Sequence, residues 1–194
     1  MSNHLKKLDH FSLIAPLYNQ IFKTPSNNKL IELIDLNEGQ CLLDVGGGSG
    51  RIAQLFQDNL CKVTITDISL GMLRQSAKTG AFKVVLAASE NLPYKNIQFD
   101  RIIMVDAFHH VINHKETIHQ LLRVVKPGGR LIIEEPDIDK FSVKMIALAE
   151  KLLLMRSHFK SKDQISSLVK GYVGIKIRFE SASNNFWAVI DKEN

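Results

Sequence analysis

The sequence lacks several features that would place it in special classes of protein. It has only two cysteines, Cys41 and Cys61, which offer neither a disulfide framework nor the spacing of metal ligands. No stretch approaches the ~18 uncharged apolar residues of a membrane-spanning helix. The first residues, MSNHLKKLDHF, have no apolar run after their lysines, which argues against a secretory signal. We therefore expect a cytoplasmic protein without a bound metal.

Internal repeats, low-complexity tracts and linkers rich in proline or glycine are also missing, so the sequence gives no internal domain boundary. The chain has 194 residues, of which 45% are hydrophobic, enough to bury a core. We expect one domain that comprises residues 1–194.

An excess of positive charge is missing from most of the chain. The formal net charge is +5, but residues 1–139 hold 15 basic and 15 acidic side chains. Residues 140–180 hold nine basic and three acidic side chains. On a helical wheel, residues 140–160 show a basic edge beside a wide apolar face, which fits a wall packed on a sheet, a peripheral membrane contact or a dimer contact. The charge pattern thus does not favour a nucleic-acid partner, and it leaves monomer and homodimer open.

Short apolar runs alternate with longer amphipathic segments. Strands are predicted at 41–45, 62–66, 83–88, 100–105 and 130–135. Four of these runs are nearly continuous, as expected for strands buried on both faces, whereas KVTIT (62–66) alternates. Helices are predicted at 51–60, 69–78, 114–125 and 162–170, and in the segments 5–36 and 139–159. Two β-like runs within 175–191 predict a terminal hairpin. The alternation predicts an α/β fold with right-handed βαβ crossovers.

A glycine-rich turn, Gly46-Gly47-Gly48-Ser49-Gly50, follows the first predicted strand and opens the next helix. Such a turn lets a ligand approach the backbone at the carboxyl end of a strand, where open α/β sheets bind cofactors. Arg51 stands where the dinucleotide fingerprint has a glycine. An oxidoreductase that uses NAD is therefore the weaker alternative.

Two carboxylates frame this turn and indicate the ligand. Asp44 would repel a pyrophosphate but suits a cationic group. Asp67 ends the second predicted strand 21 residues after Gly46, where a carboxylate can accept hydrogen bonds from both ribose hydroxyls. A nucleoside with a positive charge and no phosphate describes S-adenosylmethionine.

Five segments resemble, in order, the motifs of the class I S-adenosylmethionine-dependent methyltransferases. They are LLDVGGGSG (42–50), TDISLGML (66–73), ASENLPY (88–94), FDRIIMVDAFHHV (99–111) and LLRVVKPGGRLIIEEP (121–136). HFSLIAPLYNQIF (10–22) is similar to the opening of the ubiquinone/menaquinone-biosynthesis C-methyltransferases. Ser12 and Asn19 depart from that opening, since both positions usually hold Asp.

The resemblance implies a Rossmann-like three-layer αβα sandwich with a seven-stranded, mostly parallel sheet of order 3-2-1-4-5-7-6. It implies N-terminal helices over 1–36, a cofactor-binding core over 37–137, a helical substrate cover over 138–172 and a closing hairpin over 173–194. The implied reaction converts S-adenosylmethionine into S-adenosylhomocysteine and methylates a small molecule, with a quinol or phenol ring as the favoured acceptor. A protein that binds the cofactor without catalysis is the other alternative, and methylation of RNA is disfavoured.

The same resemblance implies the cofactor contacts. Asp44 would hold the methionine amino end, Asp67 the ribose, and Ile68 and Met72 the adenine faces. The full expected set is Tyr18, Asp44, Gly46, Gly47, Gly48, Ser49, Asp67, Ile68, Met72, Ala88, Ser89, Glu90 and Val105.

The candidates for catalysis are Asp106, His109 and His110, just beyond the fourth predicted strand. Imidazole titrates near neutral pH and suits a general base, although either histidine can equally be a packing residue. Of the two we favour His110, because the second histidine of such a pair recurs in related enzymes.

The segment ASENLPY (88–94) resembles the adenine-side loop of the family, and we call it the adenine loop. It departs from the family because Ala88 replaces an Asp that accepts from the adenine amino group. The backbone around Ala88 and Ser89, or the Glu90 side chain, would have to substitute. We expect Ala88→Asp to tighten S-adenosylmethionine binding by about fivefold, the worth of one hydrogen bond. A dissociation constant from calorimetry that hardly falls would contradict this expectation.

Overall fold

The computed structural model describes residues 27–57, 61–140, 158–182 and 184–194. Within them, seven strands form one sheet in the order β3-β2-β1-β4-β5-β7-β6. The strands are β1 (Cys41–Val45), β2 (Lys62–Asp67), β3 (Lys83–Leu86), β4 (Phe99–Val105), β5 (Val125–Pro136), β6 (Ile175–Ala182) and β7 (Asn185–Lys192). The first five are parallel, and β7 is antiparallel to both β5 and β6. The expected sheet order and the terminal hairpin are confirmed.

Helices connect the strands. The described α-helices are α1 (Asn27–Ile34), α2 (Leu70–Ala77), α3 (His114–Val124) and α4 (Lys162–Val169), and 3₁₀ turns occur at Ala53–Phe56 and Phe108–His110. A helix was expected over 51–60. Up to residue 57, where the described stretch ends, the structure has only the 3₁₀ turn Ala53–Phe56, and no side chain caps the start of this turn. By contrast, Ser69, Asn113 and Ser161 cap α2, α3 and α4 by accepting a backbone N–H. The predicted helical segments at 5–26 and 141–157 lie outside the described residues.

The expected burial of β2 and β3 is reversed. The alternating strand β2 is buried from Val63 to Thr66, whereas β3 exposes Lys83 and Leu86. The reason is position in the sheet: β2 lies between β1 and β3, while β3 is an edge strand with one neighbour. Sheet order, which the local pattern does not encode, decides which strand is covered.

Two apolar clusters cover the two faces of the sheet. One contains Leu43 and Ile102 and includes residues of α3 and α4. The other contains Leu42 and Ile103 and includes residues of α1 and the 3₁₀ turn at Phe56. Adjacent residues of one strand thus enter opposite clusters, because side chains alternate across a sheet. The described part of the chain therefore has three layers.

The fold brings the carboxyl ends of β1, β2, β4 and β5 to one edge of the sheet, since these strands are parallel. From β1 the chain moves outward to β2 and β3, and then returns to β4 on the other side of β1. Ligands of open α/β sheets bind at such a reversal. In the part of the chain described, no helix is long and apolar enough to cross a membrane.

Candidate active site

The glycine-rich turn lies at this reversal and needs its glycines. Gly46, Gly48 and Gly50 have φ of 73°, 53° and 81°, a region that side chains disfavour. A Cβ on Gly46 would lie 2.5 Å from the Cβ of Ala107. The Gly46 N–H donates to the Thr66 carbonyl at 2.7 Å, which holds the turn against β2. The backbone of the turn therefore lies so close to Ala107, in the loop after β4, that no side chain fits between them.

Asp44 is buried beneath this turn with an unpaired oxygen. Its side chain fills the space beside Gly47, where an added Cβ would lie 2.5 Å from Asp44 Oδ2. The residue is 1% exposed, and in the part of the chain that the structure describes its Oδ2 has no hydrogen-bond partner. Burial, and then the charge of Asp67, raise the pKa of Asp44 to about 7, against the opposing effect of Arg51. An arriving cation would favour its ionised form.

Asp67 is oriented at the end of β2 by the neighbouring backbone. Its Oδ2 accepts from the Gly48 N–H at 2.9 Å and its Oδ1 from the Ser69 N–H at 2.7 Å. Each carboxylate oxygen can accept a second hydrogen bond. The carboxylate is thus fixed beside the turn, in the position expected for a contact with ribose hydroxyls.

The structure separates the two residues expected at the adenine. Ile68 is 75% exposed beyond Asp67, whereas Met72 is 5% exposed. The Cε of Met72 lies 3.0 Å from the place a Cβ on Gly48 would take, so Met72 packs against the turn. Only Ile68 has a surface that a base could cover without rearrangement.

The carboxylate of Glu90 is already used within the protein. Its Oε1 accepts from the Ile112 and Asn113 N–H groups at 3.1 and 3.2 Å, and the Ser89 hydroxyl donates to its Oε2 at 3.1 Å. The Ser89 and Thr117 hydroxyls lie 3.1 Å apart. Glu90 therefore fastens the adenine loop to the start of α3. This geometry does not support Glu90 as the acceptor for the adenine amino group in place of the missing Asp. The other expected acceptor is the backbone near Ala88.

Asp106 stands at the end of β4 in a strained conformation. Its φ is 51°, and its N–H donates to the Glu134 carbonyl at 3.0 Å. Its Oδ2 lies 3.6 Å from Arg51 Nη2. Burial, and then Glu135, raise the pKa of Asp106, while Arg51 and His109 oppose the rise. Val105, the last residue of β4, is 8% exposed.

His109 is held by a buried carboxylate. Its Nδ1 lies 2.7 Å from Glu135 Oε2, and Glu135 Oε1 accepts from the Phe108 N–H at 2.8 Å. The exposed fractions of His109 and Glu135 are 5% and 1%. The ring of Phe159 stacks on His109 with centroids 4.6 Å apart. A histidine oriented in this way by a third group matches the arrangement of a general base.

His110 has a different environment from that of His109, and the choice between the two histidines stays a prediction. Its ring centroid lies 4.0 Å from that of His109. Burial, and then the charge of His109, lower the pKa of His110 to about 3. Such an imidazole is a poor proton acceptor at neutral pH. The contact with Glu135 distinguishes the environment of His109 from that of His110.

The remaining expectations divide between described and undescribed residues. Ser49 is 4% exposed within the turn. Tyr18 and most of the basic segment 140–160 lie outside the described residues. Sequence reasoning missed Glu135 as the partner of His109. The signal available was a pair of glutamates, Glu134 and Glu135, directly after the apolar run LII (131–133) of β5.

Comparisons with known proteins agree with this geometry. A methyltransferase-domain family matches residues 43–133, which contain the turn, Asp67 and the histidine pair. The demethylmenaquinone methyltransferase of Paenarthrobacter aurescens is 28% identical over 174 residues, which cover 84% of this chain and 67% of the relative. The ubiquinone/menaquinone biosynthesis C-methyltransferase UbiE of Pseudomonas putida is 31% identical over 143 residues, or 63% of this chain and 56% of that protein.

A solved methyltransferase in complex with the Trm112 activator of Haloferax volcanii has the same fold. Its TM-score is 0.81 at 13% identity, over 96% of this chain and 99% of that chain. The family match and these relatives support a class I S-adenosylmethionine-dependent methyltransferase. It spans between about half and two thirds of the length of the curated relatives it matches.

The site of this methyltransferase fits S-adenosylmethionine. The unpaired Asp44 Oδ2 can accept from an ammonium group. The Asp44 carboxylate lies directly beside Gly47, where it leaves no room for a Cβ, and this close contact holds Asp44 in place. Asp67 is oriented by two N–H groups at the end of β2. The cofactor of the family is thus matched by the chemistry of the residues at this edge of the sheet.

We expect Asp44→Asn to raise thermal stability while it weakens cofactor binding. Between pH 4 and 7 folded Asp44 holds a proton that the unfolded chain releases, so stability falls as the pH rises through this window and the loss is complete above 7. The variant should melt about 5 °C above the parent at pH 8 and show a smaller difference at pH 5.

Asp163→Asn, at an exposed position, is the control and should show no such pH-dependent gain. Calorimetry should show at least a tenfold loss of S-adenosylhomocysteine affinity for Asp44→Asn alone. The assignment of Asp44 would be contradicted if Asp44→Asn melted at the parent's temperature at both pH values, or if its affinity for S-adenosylhomocysteine were unchanged.

Proposed function

We propose that this methyltransferase transfers a methyl group to a ring carbon of a small quinol or phenol. The observation that carries the proposal is the buried pair of His109 and Glu135 at the ends of β4 and β5, with Nδ1 and Oε2 2.7 Å apart. Support also comes from the likeness to enzymes named for demethylmenaquinone and ubiquinone/menaquinone biosynthesis. An acceptor with a hydroxyl group is the kind that gains from a general base.

The cofactor in this proposal is held by residues at the ends of β1 and β2. Asp44 takes the ammonium of the methionine end, the Gly46–Gly48 backbone lies along it, and Asp67 accepts from the ribose hydroxyls. When bound, S-adenosylmethionine supplies a methyl group on a positively charged sulfur. Ile68 offers an exposed apolar side chain to the adenine.

The acceptor is activated by His109 through Nε2, the ring nitrogen that Glu135 does not contact. His109 accepts the proton of the acceptor hydroxyl, and the electron pair left on oxygen makes the adjacent ring carbon nucleophilic. Once that carbon has gained the methyl group, it loses its hydrogen as a proton, and return of a proton to the oxygen restores the aromatic ring. Glu135 fixes the ring orientation through Nδ1 and stabilises the imidazolium that forms. The ring of Phe159 covers one face of His109 and keeps water from it.

The remaining expectations are part of the same proposal. The acceptor is a small molecule rather than a nucleic acid, and the protein acts in the cytoplasm. Peripheral membrane contact through residues 140–160 is compatible with a quinol that resides in the bilayer. Monomer and homodimer both remain open.

Methyl transfer tests the function directly. We expect label from methyl-labelled S-adenosylmethionine on a ring carbon of a short-chain demethylmenaquinol, with one S-adenosylhomocysteine formed per methyl group. The oxidised quinone is the matched control, since it has no hydroxyl proton for His109 to accept. Label on amines alone, or equal label on quinol and quinone, would refute the proposed acceptor.

Substitutions at the buried pair test the base. We expect His109→Gln to lower kcat by at least about 100-fold and leave S-adenosylhomocysteine affinity unchanged. Glu135→Gln should lower kcat less and displace the acidic limb of the kcat–pH profile, because the imidazolium loses its counter-charge.

His119→Gln, at an exposed position on α3, is the control for loss of a histidine. If His110→Gln abolished turnover and His109→Gln did not, the base would be His110 and the proposed pair would be wrong.

A further inference from the structure

Arg51 is a buried cation whose hydrogen-bonding capacity is largely unused. Its side chain is 12% exposed, and its Nε and Nη1 are buried without a hydrogen-bond partner among the described residues. The shortest ion-pair distance, from Nη2 to Asp106 Oδ2, is 3.6 Å, longer than a hydrogen bond. Buried donors without partners are costly, so a guanidinium in this state calls for a reason other than stability.

The carboxylates near Arg51 do not supply the missing acceptors. Arg51 Nη2 lies 3.6 Å from Asp106 Oδ2, and its charge lowers the pKa values of Asp44, Asp106 and Glu134. Glu134, however, accepts from Asn185 at 3.0 Å and from Trp187 at 2.8 Å, and none of the three has a hydrogen bond to Arg51. The arrangement is therefore an incomplete ion-pair cluster at the end of β1.

The donor and acceptor groups left over are complementary to an amino acid. Asp44 has an unpaired oxygen for an ammonium, and Arg51 has unpaired N–H groups for a carboxylate. The glycine-rich turn that joins the two residues is the one proposed to carry the methionine end of the cofactor. A zwitterion would complete both sets of hydrogen bonds and add no net charge to a buried site.

We propose that Arg51 binds the α-carboxylate of S-adenosylmethionine, paired with Asp44 on its ammonium. The inference rests on the proposed cofactor site and adds a determinant for the methionine end. A carboxylate of the acceptor has the same chemistry, but it would bring a net negative charge to Asp106 and Glu134, which are already crowded by acids. The cofactor is therefore the better source of the carboxylate.

The test compares ligands with and without the carboxylate. Calorimetry would give dissociation constants for S-adenosylmethionine and for decarboxylated S-adenosylmethionine, which keeps the ammonium, with the parent and with Arg51→Met. We expect the parent to prefer the carboxylated ligand by about 10- to 100-fold, the worth of a charged hydrogen-bond pair. Arg51→Met should lose this preference and bind the decarboxylated ligand as well as the parent does.

Arg74→Met, an exposed arginine on α2, is the matched control and should keep the preference. Arg51→Lys should keep part of it, since it retains the charge but not the planar donors. If Arg51→Met does not fold, the parent's own preference and the Arg51→Lys value still decide the matter.

Three results would overturn the inference. The first is equal binding of both ligands by the parent. The second is a loss of affinity for both ligands to the same degree in Arg51→Met, which would make Arg51 a structural residue. Arg51→Met could also keep the preference and instead raise KM for an acidic acceptor, which would assign Arg51 to the acceptor. Failure of the parent to bind S-adenosylmethionine at all would refute the proposed function, and is distinguishable from these three.

Discussion

The burial of the Asp44 carboxylate at the end of β1 is the constraint on which the site depends. The side chain occupies the space beside Gly47, so the turn can pass over it only without a Cβ. The glycine-rich turn lies against Ala107. This contact fixes the start of the loop that follows β4, which carries the histidine pair. An ionisable group with one unpaired oxygen is unfavourable by itself. The buried Asp44 carboxyl therefore lowers the stability of the fold, and it does so at the place where a cationic ligand would remove this unfavourable free energy.

The acidic residues at the end of β5 are stabilised by different elements, which explains why the hairpin belongs to the site. Glu134 receives hydrogen bonds from Trp187 and Asn185 on β7, the strand inserted beside β5. Glu135 instead receives the Phe108 N–H and contacts His109. Consecutive residues of one strand point to opposite faces. One glutamate therefore anchors the hairpin while its neighbour orients the histidine.

The resemblance to the methyltransferases was sufficient to predict the sheet order. The glycine-rich motif itself predicted the placement of the turn, because glycines act through backbone geometry that the motif carries locally. The burial of β2 and β3 was not predictable from their patterns, since it depends on which strand is at the edge. The roles of Glu90 and His109 also depend on distant partners. Glu90 is bound by backbone N–H groups 22 and 23 residues away, and the contact of His109 is 26 residues away.

The charge surplus of residues 140–180 has a partly internal explanation. Lys162 on α4 lies 3.0 Å from Asp137, whose side chain is 4% exposed, and its Nζ lies 5.5 Å from the ring centroid of Phe186. Lys176 pairs with Glu193, but this pair is exposed and contributes little to stability. The pair at Asp137 matters more, because Lys162 compensates an acid buried just beyond β5. Part of the surplus is thus used within the described residues, where Lys162 compensates Asp137, and this charge is not left for an external partner.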